Sequence, residues 1–101
     1  MIGYIYQITP KKTEKQAIQE NYKYIGSTIN LAHRIRQHRH NCIKGKEYHR
    51  LLYKTIRNNG NFENWELQIL EEVEVSHREE LYYYENTLID DLKPNLNIKV
   101  V

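Results

Sequence analysis

Two short runs, "GYIYQI" at 3–8 and "KYIGST" at 23–28, alternate phenols with isoleucines. In an extended chain Tyr4 and Tyr6 share one side with Ile5 opposite, and Tyr22 and Tyr24 share one side with Ile25 opposite. The alternation predicts two half-buried strands over 2–8 and 22–27. The polar connector between them, "TPKKTEKQAIQEN", is too long for a tight turn, so an antiparallel hairpin with an elaborated loop is expected. Asn30 is placed to cap a helix from Leu31 to about Ile43, ending near Gly45. A second helix is expected from about Glu47 to Asn59, with Leu51, Leu52 and Ile56 on its apolar face and Gly60 as its C-cap. Alternation at Trp65, Leu67 and Ile69 in "NFENWELQILEEV" predicts a third strand. "SHRE" at 76–79 reads as a capping box opening a third helix that runs to about Leu92 and stops before Pro94. The order β-β-α-α-β-α, with a short tail, describes one α/β (α+β) domain over 1–101: a three-stranded antiparallel sheet flanked by helices.

A chain of 101 residues supports a single core and little beyond it. No apolar run reaches the length of a membrane span, and the N-terminus lacks the basic and apolar regions of a secretory signal. The one cysteine, Cys42, precludes an internal disulfide. The expectation is an intracellular, non-secreted protein without a membrane partner. The net charge is only +2, but its distribution is uneven. Arg34, Arg36, Arg39, Lys44, Lys46, Arg50, Lys54 and Arg57 crowd the middle, whereas ten acids fall between Glu63 and Asp91. That is either one face built for an anionic polymer or two ordinary solvated faces.

Some residues break the amphipathic pattern. At 100° per residue Glu85 falls inside the arc of Leu81, Leu88, Ile89 and Leu92, where a carboxylate needs a partner, a hydrogen bond or a metal. In the first helix, Arg34 and His38 lie one turn apart on the edge of the apolar arc, whereas His33 and His40 point to solvent. Each feature also has an ordinary reading, as a snorkelling Glu or an amphipathic boundary. Zinc-type Cys/His clusters, a Gly-rich phosphate loop and a Ser/His/Asp arrangement are all missing. Phenols from two strands, an Arg and a His from the next helix and a Glu from the last suit phosphodiester chemistry. That chemistry needs a base or oriented water, a cation beside the phosphate and a carboxylate for a divalent metal.

The motifs "YIY" at 4–6, "YIG" at 24–26, "NLAHRIRQH" at 30–38, "GNFENWELQILE" at 60–71, "YENTLI" at 84–89 and "KPNLN" at 93–97 resemble, in order and spacing, the GIY-YIG nuclease domain. Among its members they are most similar to the compact catalytic domains of phage-type homing endonucleases and their viral relatives. The resemblance implies a metal-dependent DNA endonuclease. Carried over by position, the catalytic set is Tyr6, Tyr24, Arg34, His38 and Glu85, with Asn97, His49 and Gly26 in supporting positions. It implies that Glu85 holds one Mg²⁺ or Mn²⁺ ion, that Arg34 steadies the phosphate, and that a tyrosine activates or positions the water. Tyr6 is the preferred base and His38 the alternative; a phenol with an ordinary pKa near 10 needs assistance at neutral pH. With DNA as the implied partner, Arg36, Arg39, Lys44, Lys46, Arg50 and Lys54 become candidate backbone contacts.

The chain departs from the family pattern in two places. Tyr4 stands where the first tripeptide usually has glycine, although Gly3 precedes it, and Ser27 stands where some members have lysine. Two rival functions use the same residues: a catalytically silent nucleic-acid-binding module, and a structure-specific nuclease of branched or damaged DNA. The chain ends a few residues past Asn97 without a separate recognition domain, as expected for a stand-alone nuclease or for the catalytic piece of a longer protein.

Overall fold

The computed structural model describes residues 1–11 and 22–97. Within them the order is β1 (Ile2–Pro10), β2 (Tyr24–Thr28), α1 (Leu31–Ile43), α2 (Leu51–Asn58), a single 3₁₀ turn at Phe62–Asn64, β3 (Trp65–Glu74) and α3 (Glu79–Leu92). The expected elaborated loop at 12–21 and the tail beyond 97 lie outside the described residues.

β1 is the central strand, in the order β2-β1-β3, antiparallel to both neighbours. Because side chains alternate across a strand, β1 and β2 feed two cores. Tyr6, Ile8 and Tyr24 face one side, packed with Cys42 of α1, Leu52, Tyr53 and Ile56 of α2, Trp65 and Leu96. Ile5 and Ile25 face the other side, packed with Val75 and with Leu81, Leu88 and Ile89 of α3. The alternation anticipated for Tyr6 and Tyr24 against Ile5 and Ile25 therefore separates two helical layers, and every residue of β2 is buried.

Several expectations need correction. The alternation through Trp65 and Leu67 does not continue to Ile69, which is 45% exposed. The register slips between Ile5 and Tyr6: Glu71 lies opposite Ile5 but Ile69 lies opposite Tyr6, leaving Leu70 as a bulge residue. Leu70 and Val73 then pack on the α3 side. The second helix starts at Leu51, not Glu47. Residues 46–49 form a turn following Gly45, whose φ is +112°, and the Arg57 guanidinium lies 3.6 Å from the centre of the Tyr48 ring, pinning that turn. Leu51 is exposed, leaving Leu52 and Ile56 to carry the face. Asn59 is the C-cap of α2, and Gly60 follows it at φ +93°. The capping box does not form: Arg78 is the N-cap and makes no side-chain cap bond, so Ser76 is too far back from the first turn. Glu80 accepts the Ser76 N–H instead, at 3.3 Å, and Glu79 pairs with His77. Leu92, expected in the apolar arc, is 43% exposed at the end of α3. Asn30 does cap α1, its Oδ1 accepting the His33 N–H at 3.1 Å.

Two close contacts fix the layers. The outer edge of β2 is covered by the segment after α3. Asn95 Oδ1 accepts the Lys23 N–H at 2.8 Å, and the Leu96 N–H donates to Lys23 O at 3.0 Å. Asn97 brackets Ile25, accepting its N–H at 2.8 Å and donating to its carbonyl at 2.7 Å. An edge that would otherwise expose its backbone is thereby closed. On the other face α3 lies so close to β1 that a Cβ on Gly3 would collide with the Leu81 side chain.

Leu81 is 1% exposed and has no room to swing away, so Gly3→Val should destabilise the domain by about 2 kcal/mol through overpacking. Leu81→Ala alone should cost roughly 2–5 kcal/mol. In urea unfolding the double variant should fall short of the sum by about 1 kcal/mol or more, because each change relieves the other. Strict additivity would mean that α3 does not bear on Gly3.

Candidate active site

The site lies on the α1/α2 face of the sheet and extends around the edge of β2. Tyr6 stands opposite Gly26 in the β1–β2 register. A Cβ on Gly26 would sit 2.5 Å from Tyr6 Oη and 3.1 Å from Tyr24 Cε1. The bare backbone therefore lets the Tyr6 ring lie over β2, with the Tyr24 ring 6.5 Å away between centroids. Tyr6 Oη meets His38 Nε2 at 2.7 Å, and His38 Nδ1 meets Tyr53 Oη at 2.9 Å. Asn41 Nδ2 donates to Tyr53 Oη at 3.2 Å. Arg34, one turn before His38, is half-buried and brings its guanidinium beside Tyr6.

Burial holds the groups of this chain neutral. Desolvation drives the Tyr6 phenol well above its ordinary value, Tyr24 adding to the rise and Arg34 opposing it. The Tyr53 phenol is also raised by burial, with the Asn41 hydrogen bond opposing. His38 is pushed down to about 4 by burial first and then by the positive charges of Arg34 and Arg50. Burial raises the Cys42 thiol to about 11, which leaves it an inert core residue.

Around the edge of β2 opens a groove of about 990 Å³, lined by Tyr24, Arg50, Tyr82, Glu85, Asp90 and Asn97 among others. Burial raises the Tyr24 phenol; Arg50 lowers it and Glu85 raises it, so Tyr24 stands between opposite charges. Arg50 is the N-cap of α2, its guanidinium carbon 6.0 Å from the Tyr53 ring centre and its Nε 3.6 Å from a Glu47 carboxylate oxygen. Glu85 comes from α3 on the opposite layer and reaches this groove as a half-buried side chain. Asn97 lines it too, but both of its amide atoms bond the backbone of Ile25, so its part is to hold β2 in place.

Tyr6, Arg34 and His38 are thus brought together, and Tyr24 links them to Glu85. His49 is exposed, its ring against Tyr48, and does not line the groove. Arg36, Arg39, Lys44, Lys46 and Lys54 are exposed, on α1, on α2 and in the segment between them. Sequence reasoning missed Tyr53 and Asn41, and it took Arg50 for a candidate DNA-backbone contact without placing it beside Tyr24. The spacing of His38 and Asn41 along one helix face was the available signal; Tyr53 had none, because only the α1–α2 packing brings it close.

The groove offers oxygen donors from Glu47, Glu85 and Asp90 and neither thiol nor imidazole, a set suited to a hard ion such as Mg²⁺. Among the described residues no three His, Cys, Asp or Glu side chains gather into a metal cage. Glu85, half-buried at the groove, is the carboxylate that could hold such an ion. Among the described residues, no helix is long and apolar enough to cross a membrane.

The family model of the GIY-YIG catalytic domain matches residues 2–97. No curated protein and no solved structure matches the chain.

The state of His38 makes stability depend on pH. Its folded pKa, about 4, lies below the unfolded value of 6.5, so on acidification the unfolded chain takes up a proton that the folded one refuses. The contribution is complete above pH 6.5 and is lost as pH falls towards 4, by up to roughly 3 kcal/mol. Urea midpoints measured from pH 7.5 to 4.5 should fall more steeply for the parent than for His38→Gln, which cannot titrate. Parallel curves would place His38 in water.

Proposed function

The chain belongs to the GIY-YIG catalytic domain family, which implies a nuclease fold with DNA as substrate, and on that premise we propose that it is a metal-dependent endonuclease hydrolysing DNA phosphodiesters. The observation that carries the reading is the convergence at β2 of two phenols, Tyr6 and Tyr24, two guanidiniums, Arg34 and Arg50, and the Glu85 carboxylate. A silent binding module has no need of a buried phenol–imidazole chain beside a carboxylate-lined groove. The order and spacing of the motifs support placing the chain with the compact phage-type homing endonucleases.

In this reading water attacks phosphorus in line and one P–O ester bond breaks. The water proton passes to the Tyr6 phenolate, formed by prior loss of the phenol proton to solvent, and the leaving alkoxide takes a proton from solvent. Arg34, beside Tyr6, holds the scissile phosphate and stabilises the charge that develops on it. Arg50 guides the phosphate at the Tyr24 end of the groove. Glu85 is the residue to hold one Mg²⁺ or Mn²⁺ ion. Such an ion, when bound, supplies positive charge that offsets the charge developing on the phosphate. The exposed cations Arg36, Arg39, Lys44, Lys46 and Lys54 carry sequence-independent backbone attraction. His38, with both ring nitrogens engaged by tyrosines, does not reach the substrate.

Supercoiled plasmid incubated with the protein and Mg²⁺ should yield nicked and linear product, and none with a chelator. Arg34→Ala should lower turnover by about 10²–10³, the effect of removing one positioned donor from a developing charge, with DNA retention reduced only a few-fold. Glu85→Gln should be inactive yet folded by circular dichroism. Cleavage unaffected by chelator, or equal loss of binding and turnover in Arg34→Ala, would sink the assignment.

The pH profile tests the base. Burial keeps Tyr6 protonated in the resting protein, so only a small fraction is the active phenolate at neutral pH. The logarithm of kcat/KM should climb by about one per pH unit from pH 7 to at least 9. A plateau beginning near pH 7 would exclude a phenol as the base.

A further inference from the structure

We propose that Glu47 is a built-in counter-ion of Arg50 that the substrate phosphate must displace, so that Glu47 sets how tightly the groove takes DNA. The inference rests on the nuclease reading for the identity of the displacing anion; the resting pair does not.

The backbone brings the pair together. Gly45, at φ +112°, turns the chain after α1. The Arg50 N–H then donates to Glu47 O at 3.0 Å, closing a turn whose first and last side chains lie side by side. Arg57 fixes this turn from α2. Its guanidinium lies 3.6 Å from the centre of the Tyr48 ring, and its Nη1 donates to the Cys42 carbonyl at 3.4 Å. With the turn held, a Glu47 carboxylate oxygen stands 3.6 Å from Arg50 Nε. Both side chains are about half exposed and both line the groove, so the pair stands where a ligand arrives.

Among the described residues, the charged groups lining the groove are Glu47, Glu85, Asp90 and Arg50. Attraction for a phosphate there falls to Arg50, whose guanidinium also reaches Tyr24 and lies 6.0 Å from the Tyr53 ring centre. A carboxylate three residues away takes part of that attraction at rest and repels the incoming phosphate. An ion pair this open to water is weak. A phosphate that meets the guanidinium with two oxygens is the stronger partner and displaces it. The pair therefore acts on affinity. Removing the Glu47 carboxylate deletes a competitor and leaves every donor of Arg50 in place, so binding should tighten. If Glu47 instead steadied Arg50 for the phosphate, the same change would loosen binding.

The test reads binding apart from cleavage, by fluorescence anisotropy of a labelled short DNA duplex without Mg²⁺. Glu47→Gln should tighten duplex binding by about two- to fivefold, the range an exposed ion pair contributes. On plasmid with Mg²⁺ its KM should fall by a similar factor while kcat moves less. Removing any acid near DNA also tightens binding, so Asp90→Asn, the same charge change in the same groove, is the reference and should do less. In an Arg50→Gln background the advantage of Glu47→Gln over Asp90→Asn should vanish, as a double-mutant cycle requires of a direct pair. Weaker duplex binding by Glu47→Gln overturns the proposal, and so does an advantage that persists without Arg50. Tighter binding by Glu47→Gln together with a parent that never cleaves plasmid overturns the nuclease reading and leaves the counter-ion assignment standing.

Discussion

The methyl group that Gly26 lacks is the constraint on which the rest of the site depends. Tyr6 lies over that position so closely that its hydroxyl would be 2.5 Å from an added Cβ. A side chain there would lift the ring off β2 and carry Oη away from His38, with which it bonds at 2.7 Å. Since the His38 ring is gripped from its far side by Tyr53, the phenol and the imidazole cannot shift together without disturbing the α1–α2 packing. One backbone position thus sets the distance between strand and helix, and that distance sets a buried hydrogen-bond chain three side chains deep. Such a chain rigidifies its surroundings because each unsatisfied member would be costly.

The second constraint is topological. Tyr6, His38 and Tyr53 belong to the face of the sheet covered by α1 and α2, whereas Glu85 belongs to α3 on the other face. Groups on opposite faces meet only at an edge, and β2 is the edge strand on this side. Tyr24 is the residue of β2 that connects them, near Arg50 from one layer and Glu85 from the other. The edge must be closed against strand addition and still open to a ligand. Asn95, Leu96 and Asn97 meet both needs by bonding Lys23 and Ile25 on either side of Tyr24.

Much of this was legible in the sequence because local rules operate undisturbed there. Alternation located β1 and β2, Asn30 and the apolar spacing located α1 to the residue, and the Leu81-Glu85-Leu88 arc marked Glu85 as out of place. Where tertiary contacts overrode local preference, the reading failed. The bulge at Leu70 answers to pairing with β1, the late start of α2 answers to Tyr48 docking on Arg57, and the capping box lost Ser76 because the helix starts farther on. In the site, the positions of Tyr6, Arg34 and His38 followed from strand and helix periodicity. Tyr53 and Arg50 did not, because their places depend on how α2 crosses α1 and on the turn that releases Arg50 towards the groove.

The distribution of charge through the site then has a single physical logic. Tyr6, Tyr24 and Tyr53 are all pushed up and His38 is pushed down, each by burial before any other cause. Each shift favours the uncharged form, so the interior of the site is neutral at rest. The permanent charges, Arg34, Arg50 and Glu85, stand at its rim, where they retain part of their hydration. Burying those charges with the phenols would demand desolvation that a domain with two small cores has little stability to offset. Leaving the phenols outside would forfeit the low-dielectric surroundings in which a nearby cation acts strongly. A neutral polar interior with a charged rim satisfies both limits, and it leaves an anionic substrate to complete the field when it binds.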